Sequence, residues 1–143
     1  MGLIQLSEKW SKIDFIDLAE KTLLEMDDFI ADLNRKQLSD KGVREDGSKI
    51  TPEYSFNTKD YKSDRGGISG IIDHVTLYDK GDVHKSILAD IYSGKLLLDA
   101  TDPKVPKLLE DYGEWLGLTD ESLALLQNEF RPRYVSNIIK ALQ

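Results

Sequence analysis

Apolar side chains recur at intervals of three and four residues between Asp14 and Ser39. This spacing places them on one face of an α-helix. Asp14 is suited to the N-cap position, and Asp17 adds negative charge in the first turn, where it interacts favourably with the helix dipole. The pattern predicts one long N-terminal helix of about 25 residues and about 37 Å. Its apolar face comprises Phe15, Leu18, Ala19, Thr22, Met26, Phe29, Ile30, Leu33 and Gln37.

The helical spacing ends near Asp40, and no regular period replaces it before residue 70. Glycine, proline, aspartate, asparagine and serine interrupt this stretch, as is typical of turns. A loop of about 30 residues is unusual inside a compact domain and often has a function. We therefore predict a long flexible loop at about residues 40–70, with aromatic side chains that can pack or meet a partner at Tyr54, Phe56 and Tyr61.

The segment after this loop has the composition of β-structure. His74–Tyr78 is rich in β-branched and aromatic residues, which favours a strand. Asp79–Asp82 has the composition of a turn, because Gly81 can take a positive φ at little cost. The segment therefore predicts a strand that ends in a tight turn.

A hairpin is predicted immediately downstream. Val83–Tyr92 fits a strand and a short helix almost equally well. Ser93-Gly94 then separates it from the apolar run within Lys95–Ala100, and such a pair between two apolar segments favours a hairpin. We expect Ile91-Tyr92 to pair with Leu96–Leu98.

The remaining residues predict two helices. Val105–Tyr112 has the length of a short helix, with a proline tolerated in its first turn. Thr119 is suited to cap a final helix, which Pro132 should kink or divide. The apolar face of that helix comprises Leu123, Leu126, Phe130, Tyr134, Ile138 and Leu142.

Strands grouped between helices are typical of an α+β domain with an antiparallel sheet. The sequence thus predicts one domain over residues 1–143, with a long N-terminal helix, a small antiparallel sheet and C-terminal helices. The apolar faces of the first and last helices should form the core. If the chain forms a subunit interface, Trp10 and Trp115 are the residues most suited to anchor it.

Composition excludes several classes of chemistry. The 143 residues include no cysteine, which excludes disulfide bonds, thiolate metal sites and cysteine nucleophiles. The net charge is −7, and nonspecific DNA binding requires clustered basic residues, so such binding is not expected. No apolar run approaches the roughly 20 residues that span a bilayer, and the first residues do not resemble a signal peptide. We therefore expect synthesis in a cytoplasm and no membrane association.

The two histidines and their acidic neighbours are the first candidates for chemistry. His74 and His84 lie near Asp73, Asp79 and Asp82 in sequence, so a His/Asp metal site is conceivable. Their spacing matches no specific metal motif. Polar residues beside a turn are the better interpretation, and we predict no metal site.

Other motifs are equally weak. Asp82, His84 and Ser86 have the residue types of a catalytic triad, but they fall within five positions and lack a nucleophile elbow. The Asp46-Gly47 turn lacks the neighbouring ligands of a calcium loop. Gly66–Gly70 lacks the lysine and spacing of a phosphate-binding loop. We predict no catalytic residue and no cofactor, and therefore no enzyme.

One turn carries a family resemblance. The sequence Leu77-Tyr78-Asp79-Lys80-Gly81-Asp82 is followed by Ser86. A leucine, an Asp-Thr-Gly turn and a serine a few residues later are common in the head–tail joining (neck) and tail-completion proteins of tailed bacteriophages. With Lys80 in place of the threonine, the chain resembles this family over about residues 34–87, a stretch that also includes Asn34–Gly42 and Pro52–Ser55.

The resemblance implies an α+β structural subunit of a phage or prophage virion, assembled in the bacterial cytoplasm into a ring at the portal, without catalysis. It implies as partners the portal or adaptor, the tail tube or tail terminator, and copies of the same chain. DNA would pass through the ring without specific binding. The candidate interface residues are Tyr54, Phe56, Tyr61, Asp79, Lys80, Gly81, Asp82 and Ser86.

Two other functions stay open at this point. A small acidic inhibitor or immunity-like protein would present its negative charge to a basic partner. A metal-dependent hydrolase would use His74, His84 and nearby aspartates.

Overall fold

The computed structural model describes residues 2–143, which form α-helices and one two-stranded antiparallel sheet. The predicted α+β class is therefore confirmed. A 3₁₀ helix spans Gly67–Gly70. In chain order the other elements are α1 (Leu3–Ser11), α2 (Phe15–Leu24), α3 (Asp27–Asp40), α4 (Phe56–Ser63), α5 (Asp82–Ser86), β1 (Ile87–Tyr92), β2 (Lys95–Ala100), α6 (Val105–Tyr112) and α7 (Asp120–Leu142).

The predicted long N-terminal helix is wrong. Its residues form two helices, α2 and α3, which are separated at Glu25-Met26. Both helices contact α7 and β1, but α2 packs mainly against α7 whereas α3 packs mainly against β1. Asp27 and Asp28 lie in the first turn of α3. Consecutive acids at that position are a helix-start signal, which the unbroken apolar period concealed.

Part of the predicted loop at residues 40–70 is also helical. Ser55 caps α4, since its hydroxyl accepts a hydrogen bond from the Thr58 amide at 3.2 Å. Lys62 is the only buried residue of α4, so this helix has no apolar period that a sequence could show. The prediction of an irregular loop is therefore wrong over α4 and over the 3₁₀ helix.

The hairpin is confirmed. β1 and β2 pair in antiparallel register from Ile87 opposite Ala100 to Tyr92 opposite Lys95. Ser93 and Gly94 have φ values of 49° and 74°. Positive φ at both central residues is the signature of the two-residue hairpin turn whose twist matches that of the strands.

The predicted strand at His74–Tyr78 is wrong, because this segment pairs with no other strand in residues 2–143. Two later elements are confirmed: α6 has the predicted bounds, and Thr119 caps α7 by accepting a hydrogen bond from the Ser122 amide at 3.2 Å. α7 continues through Pro132, so the helix is not divided there.

Two groups of buried apolar side chains form the core. Trp115 is fully buried in the first, so it cannot anchor a subunit interface, whereas Trp10 remains 49% exposed. The first group comprises Ala31, Leu38, Ile50, Val75, Leu77, Val83, Ile87, Ala100, Val105 and Trp115. The second comprises Met26, Ile30, Leu33, Leu118 and Leu126.

Two buried amides of α3 hold the segment between α6 and α7. The Asn34 carbonyl oxygen accepts a hydrogen bond from the Gly117 amide at 3.0 Å. Gln37 donates to the Gly117 carbonyl at 2.8 Å and accepts from the Thr119 amide at 2.9 Å. Buried backbone groups need such partners, so these side chains position the start of α7.

We expect replacement of Gln37 by methionine to destabilise the fold by about 2–4 kcal/mol, because it leaves buried backbone groups at Gly117 and Thr119 unpaired. The measurement is the free energy of unfolding from urea titration. The neighbouring exposed Lys36→Met is the matched control and should change this value by less than about 0.5 kcal/mol. Equal effects of the two changes would contradict the assignment.

Candidate functional site

A cleft of about 270 Å³ lies between α4, the segment from Leu77 to Val83, and α6. Six of the eight interface residues predicted from sequence line this cleft, although they come from two separate parts of the chain. They are Tyr54, Tyr61, Asp79, Lys80, Gly81 and Asp82.

Side chains, not strand pairing, fix the backbone of the cleft wall. The Tyr54 hydroxyl accepts hydrogen bonds from the amides of Thr76 at 3.1 Å and Leu77 at 3.0 Å. The Lys62 ammonium donates to the Tyr78 carbonyl at 2.6 Å. These bonds occupy groups that a strand would offer to a neighbour, which explains why the β-like composition at His74–Tyr78 does not produce a strand.

Two residues of this wall have backbone conformations that side chains normally disfavour. Leu77 is buried and has a φ of 55°, and Gly81 has a φ of 92°. Only glycine takes the second conformation without strain, and a Cβ there would lie 2.8 Å from the Tyr78 hydroxyl. The turn is therefore held in one shape by its surroundings.

His84 supports the turn from within the protein. Its Nε2 lies 2.7 Å from the Thr76 carbonyl, and its ring packs edge-on against Tyr78 with centroids 4.9 Å apart. Burial lowers the pKa of His84 below its ordinary value; the hydrogen bond to Thr76 opposes this effect, and the positive charges of Arg35 and Lys62 add to it. The neutral imidazole therefore donates from Nε2.

Arg35 of α3 holds the segment that follows the turn. Its guanidinium donates to the carbonyls of His84 at 2.7 Å and Ile87 at 2.8 Å. It also pairs with Asp32 at 2.6 Å. The planar arginine thus joins α3 to the end of α5 and the start of β1.

Lys62 is a buried cation in the cleft. Its ammonium lies 5.2 Å from the centre of the Tyr54 ring, in addition to its hydrogen bond to Tyr78. Burial lowers the pKa of Lys62; Asp79 opposes this and Arg65 adds to it. The ammonium is used to hold the wall of the cleft in place.

Charged side chains surround the mouth of the cleft. Asp79 pairs with Arg65 at 3.2 Å and accepts a long hydrogen bond from the Tyr61 hydroxyl at 3.4 Å. Asp82 lies 3.5 Å from the Lys104 ammonium. Lys80 is exposed and forms no ion pair with any residue in 2–143. The rim therefore presents both signs of charge to a partner.

The remaining two predicted interface residues lie outside the cleft. Phe56 is the first residue of α4 and is 82% exposed. Helical geometry places it roughly opposite Thr58 and Lys62, which line the cleft, so it projects from the other side of α4. Ser86 ends α5, and its hydroxyl donates to the Val83 carbonyl at 2.8 Å.

The structure does not bring the candidate triad together. Ser86 is bonded to Val83, His84 is bonded to Thr76, and Asp82 is paired with Lys104. A nucleophile and its base must be within hydrogen-bond reach of each other. The three side chains have separate structural partners instead.

The two histidines contact different residues. The Nε2 atom of His74 is 2.7 Å from the Ser39 carbonyl oxygen, and its Nδ1 atom is 2.9 Å from an Asp73 carboxylate oxygen. Over residues 2–143, no three histidine, aspartate or glutamate side chains are grouped so that they could bind a metal ion.

None of the helices in residues 2–143 has the length and apolar character to cross a bilayer.

Sequence reasoning missed the part of the cleft that α6 supplies. Lys104 at the N-cap of α6, and Leu108 and Tyr112 within the helix, line the cleft, although all three come well after the turn in sequence. Burial raises the pKa of Tyr112, and the neighbouring Tyr54 and Asp111 add to this. An amphipathic pattern shows which face of α6 is apolar but not which distant segment it meets.

We expect Gly81→Ala to destabilise the protein by about 1–3 kcal/mol more than Gly47→Ala, measured by urea unfolding. Both glycines have positive φ, so both changes introduce backbone strain. Only the Cβ at Gly81 meets Tyr78, because no atom lies within 4 Å of a Cβ at Gly47. A similar loss in both variants would show that Tyr78 does not restrict the turn.

We expect His84 to make stability depend on pH below about 6.5. The unfolded chain takes up this proton as the pH falls through about 6.5, whereas the folded chain resists it because burial lowers the pKa of His84. The stability contribution is therefore complete above pH 6.5 and declines as the pH falls, by at most about 1.4 kcal/mol per pH unit.

His84→Gln should remove this dependence, since the glutamine amide can still donate to Thr76. The measurement is the difference in unfolding free energy between wild type and variant at pH 7.5 and at pH 5.5. This difference cancels the contributions of groups that the two proteins share. A difference that stays constant between the two pH values would contradict the assignment.

The chain has no significant match among known proteins, whether protein-family models, curated proteins or solved structures are compared with it. Its function must therefore be argued from the cleft and the surfaces around it.

Proposed function

We propose that this protein is a structural virion subunit of a tailed phage or prophage, and forms part of the neck or tail-completion ring. The observation that carries the proposal is the position of the turn Leu77–Asp82, the segment with the family resemblance. It forms the wall of the cleft where six of the eight predicted interface residues meet.

The turn is suited to recognition because its backbone is held while its charged side chains are exposed. Tyr54, Lys62 and His84 bind its main chain from within. Asp79 and Lys80 are exposed on the outside. Such preorganisation reduces the entropy lost on binding.

The charge supports the same function. A ring that conducts DNA should not retain it, and a net charge of −7 disfavours binding to phosphates. The proposed partners are the portal or adaptor, the tail tube or tail terminator, and copies of the same chain. The proposed location is the virion, with assembly in the bacterial cytoplasm.

Copurification tests the proposal directly. Each portal, adaptor and tail protein encoded beside this chain would be coexpressed with it, and complexes would be identified by light scattering and negative-stain images. We expect a ring-shaped assembly with at least one of them. A chain that stays monomeric with every such partner would overturn the proposal.

In the same assay we expect Phe56→Ser and Lys80→Glu to weaken assembly about tenfold or more, because Lys80 is exposed at the rim of the cleft and Phe56 is exposed on the other side of α4, within reach of a partner that covers this helix. Their free energies of unfolding should change by less than about 0.5 kcal/mol. Lys49→Glu makes the same charge change at an exposed residue outside the cleft and is the matched control. Loss of assembly in this control alone would contradict the assigned interface.

The net charge of −7 also favours a second candidate, an acidic inhibitor or immunity-like protein. Such a protein would bind one basic partner at low salt and release it at high salt. A salt-sensitive complex of this kind, formed without binding to any portal or tail protein, would support this candidate and contradict the ring.

A further inference from the structure

Helix α1 carries apolar side chains that its own chain does not cover. None of its residues is buried. Helical spacing places Leu3, Leu6 and Trp10 on one face of α1, with Ile4 beside them. The exposed fractions are 86% for Leu3, 76% for Ile4, 39% for Leu6 and 49% for Trp10. We call these four residues the α1 patch. Exposed apolar residues that form a contiguous group mark interaction sites.

A second apolar surface lies on the outward face of the hairpin. Alternate residues of a strand point to opposite faces, and the antiparallel register places Leu88, Tyr92 and Leu97 on the same side. Their exposed fractions are 40%, 69% and 46%, respectively. We call these three residues the hairpin patch. The opposite face of the hairpin contributes Ile87 and Ala100 to the core.

The charges around the two patches are complementary. Residues 2–13 contain Lys9 and Lys12 with one acid, Glu8, whereas the outward face of the hairpin contains Asp90 and Asp99 with one base, Lys95. None of these six residues forms an ion pair with another side chain within residues 2–143, and Lys9 donates a hydrogen bond to the Gln143 main-chain oxygen at 3.1 Å. Residues 2–13, with one net positive charge, can therefore meet a strand surface with one net negative charge.

The two patches belong to different parts of one chain. α1 packs against α7, whereas the hairpin packs its inner face against α3 and α2. A contact between two different patches of the same protein joins copies head to tail, and a repeated head-to-tail contact forms a ring when its rotation closes. This arrangement leaves the cleft free for a portal or tail partner.

We propose that the α1 patch of one copy packs on the hairpin patch of the next copy. This inference rests on the proposed ring function and specifies the contact between subunits. The lysines beside the α1 patch then meet Asp90 and Asp99 of the neighbouring hairpin.

The absence of cysteine from the chain permits a direct crosslinking test. Single variants Ile4→Cys and Leu97→Cys would be mixed, with the wild-type partner that supports assembly present where one is needed, and treated with a short bis-maleimide. We expect a crosslinked dimer from the mixture and none from either variant alone. A chain with both changes should give a ladder of crosslinked copies.

Two controls distinguish other contacts. Ile4→Cys mixed with Lys49→Cys, an exposed position outside both patches, should not crosslink. A dimer from Ile4→Cys alone would place two α1 helices together and overturn the proposed contact. Binding of the wild type to phosphatidylglycerol vesicles with a blue shift of Trp10 emission, without the mixed crosslink, would assign α1 to a lipid surface and overturn it as well.

Substitutions test the energetics. Leu3→Ser and Tyr92→Ser remove largely exposed side chains, and each should raise the concentration for half-assembly about tenfold. Lys12→Glu and Asp90→Lys should each raise it about two- to fivefold. Mixing the two charge variants should restore assembly, because each contact between unlike copies then joins opposite charges. Unchanged assembly in all four variants would overturn the contact.

The outcomes separate this contact from the proposed function. Rings with a portal or tail partner but no crosslink between the patches would overturn the contact and leave the function standing. Crosslinked copies that bind no portal or tail protein would support the contact and overturn the function. Monomers with no crosslink under any condition would overturn both.

Discussion

The structure depends on hydrogen bonds that side chains make to the buried backbone of two irregular segments. Asn34 and Gln37 bind the segment between α6 and α7, while Tyr54 and Lys62 bind the wall of the cleft. An unpaired buried backbone group costs about 1–3 kcal/mol. With one two-stranded sheet in residues 2–143, the protein can bury irregular backbone because polar side chains take the place of strand partners.

The same bonds determine the form of the cleft. α3 joins both segments, since Gln37 reaches Gly117 and Arg35 reaches the backbone of His84 and Ile87. The turn is therefore connected through α3 to the segment that leads into α7. A partner that binds the turn meets a surface whose shape is set by the whole fold, which favours specific recognition over adaptation on contact.

Predictions from the sequence were correct where a structural feature depends on a few neighbouring residues. Thr119 as the cap of α7, the Ser93-Gly94 turn and the bounds of α6 follow from capping and turn chemistry over a few residues. Predictions failed where contacts between distant parts of the chain determine the structure. Residues 14–39 keep one apolar period across the break at Glu25-Met26, although α2 packs mainly against α7 and α3 mainly against β1. His74–Tyr78 has strand-like composition, but Tyr54 occupies its backbone donors.

The candidate site shows the same division. A turn motif identified the residues from Asp79 to Asp82, and aromatic residues in a polar stretch identified Tyr54 and Tyr61, because these signals are local. The contribution of α6 depends on a long-range contact that no local period encodes. The bonds that fix the cleft wall also use the reactive groups there, since Lys62 and His84 both bind backbone carbonyls. Both groups are therefore committed to holding the shape of the wall, as the proposed recognition of another protein requires.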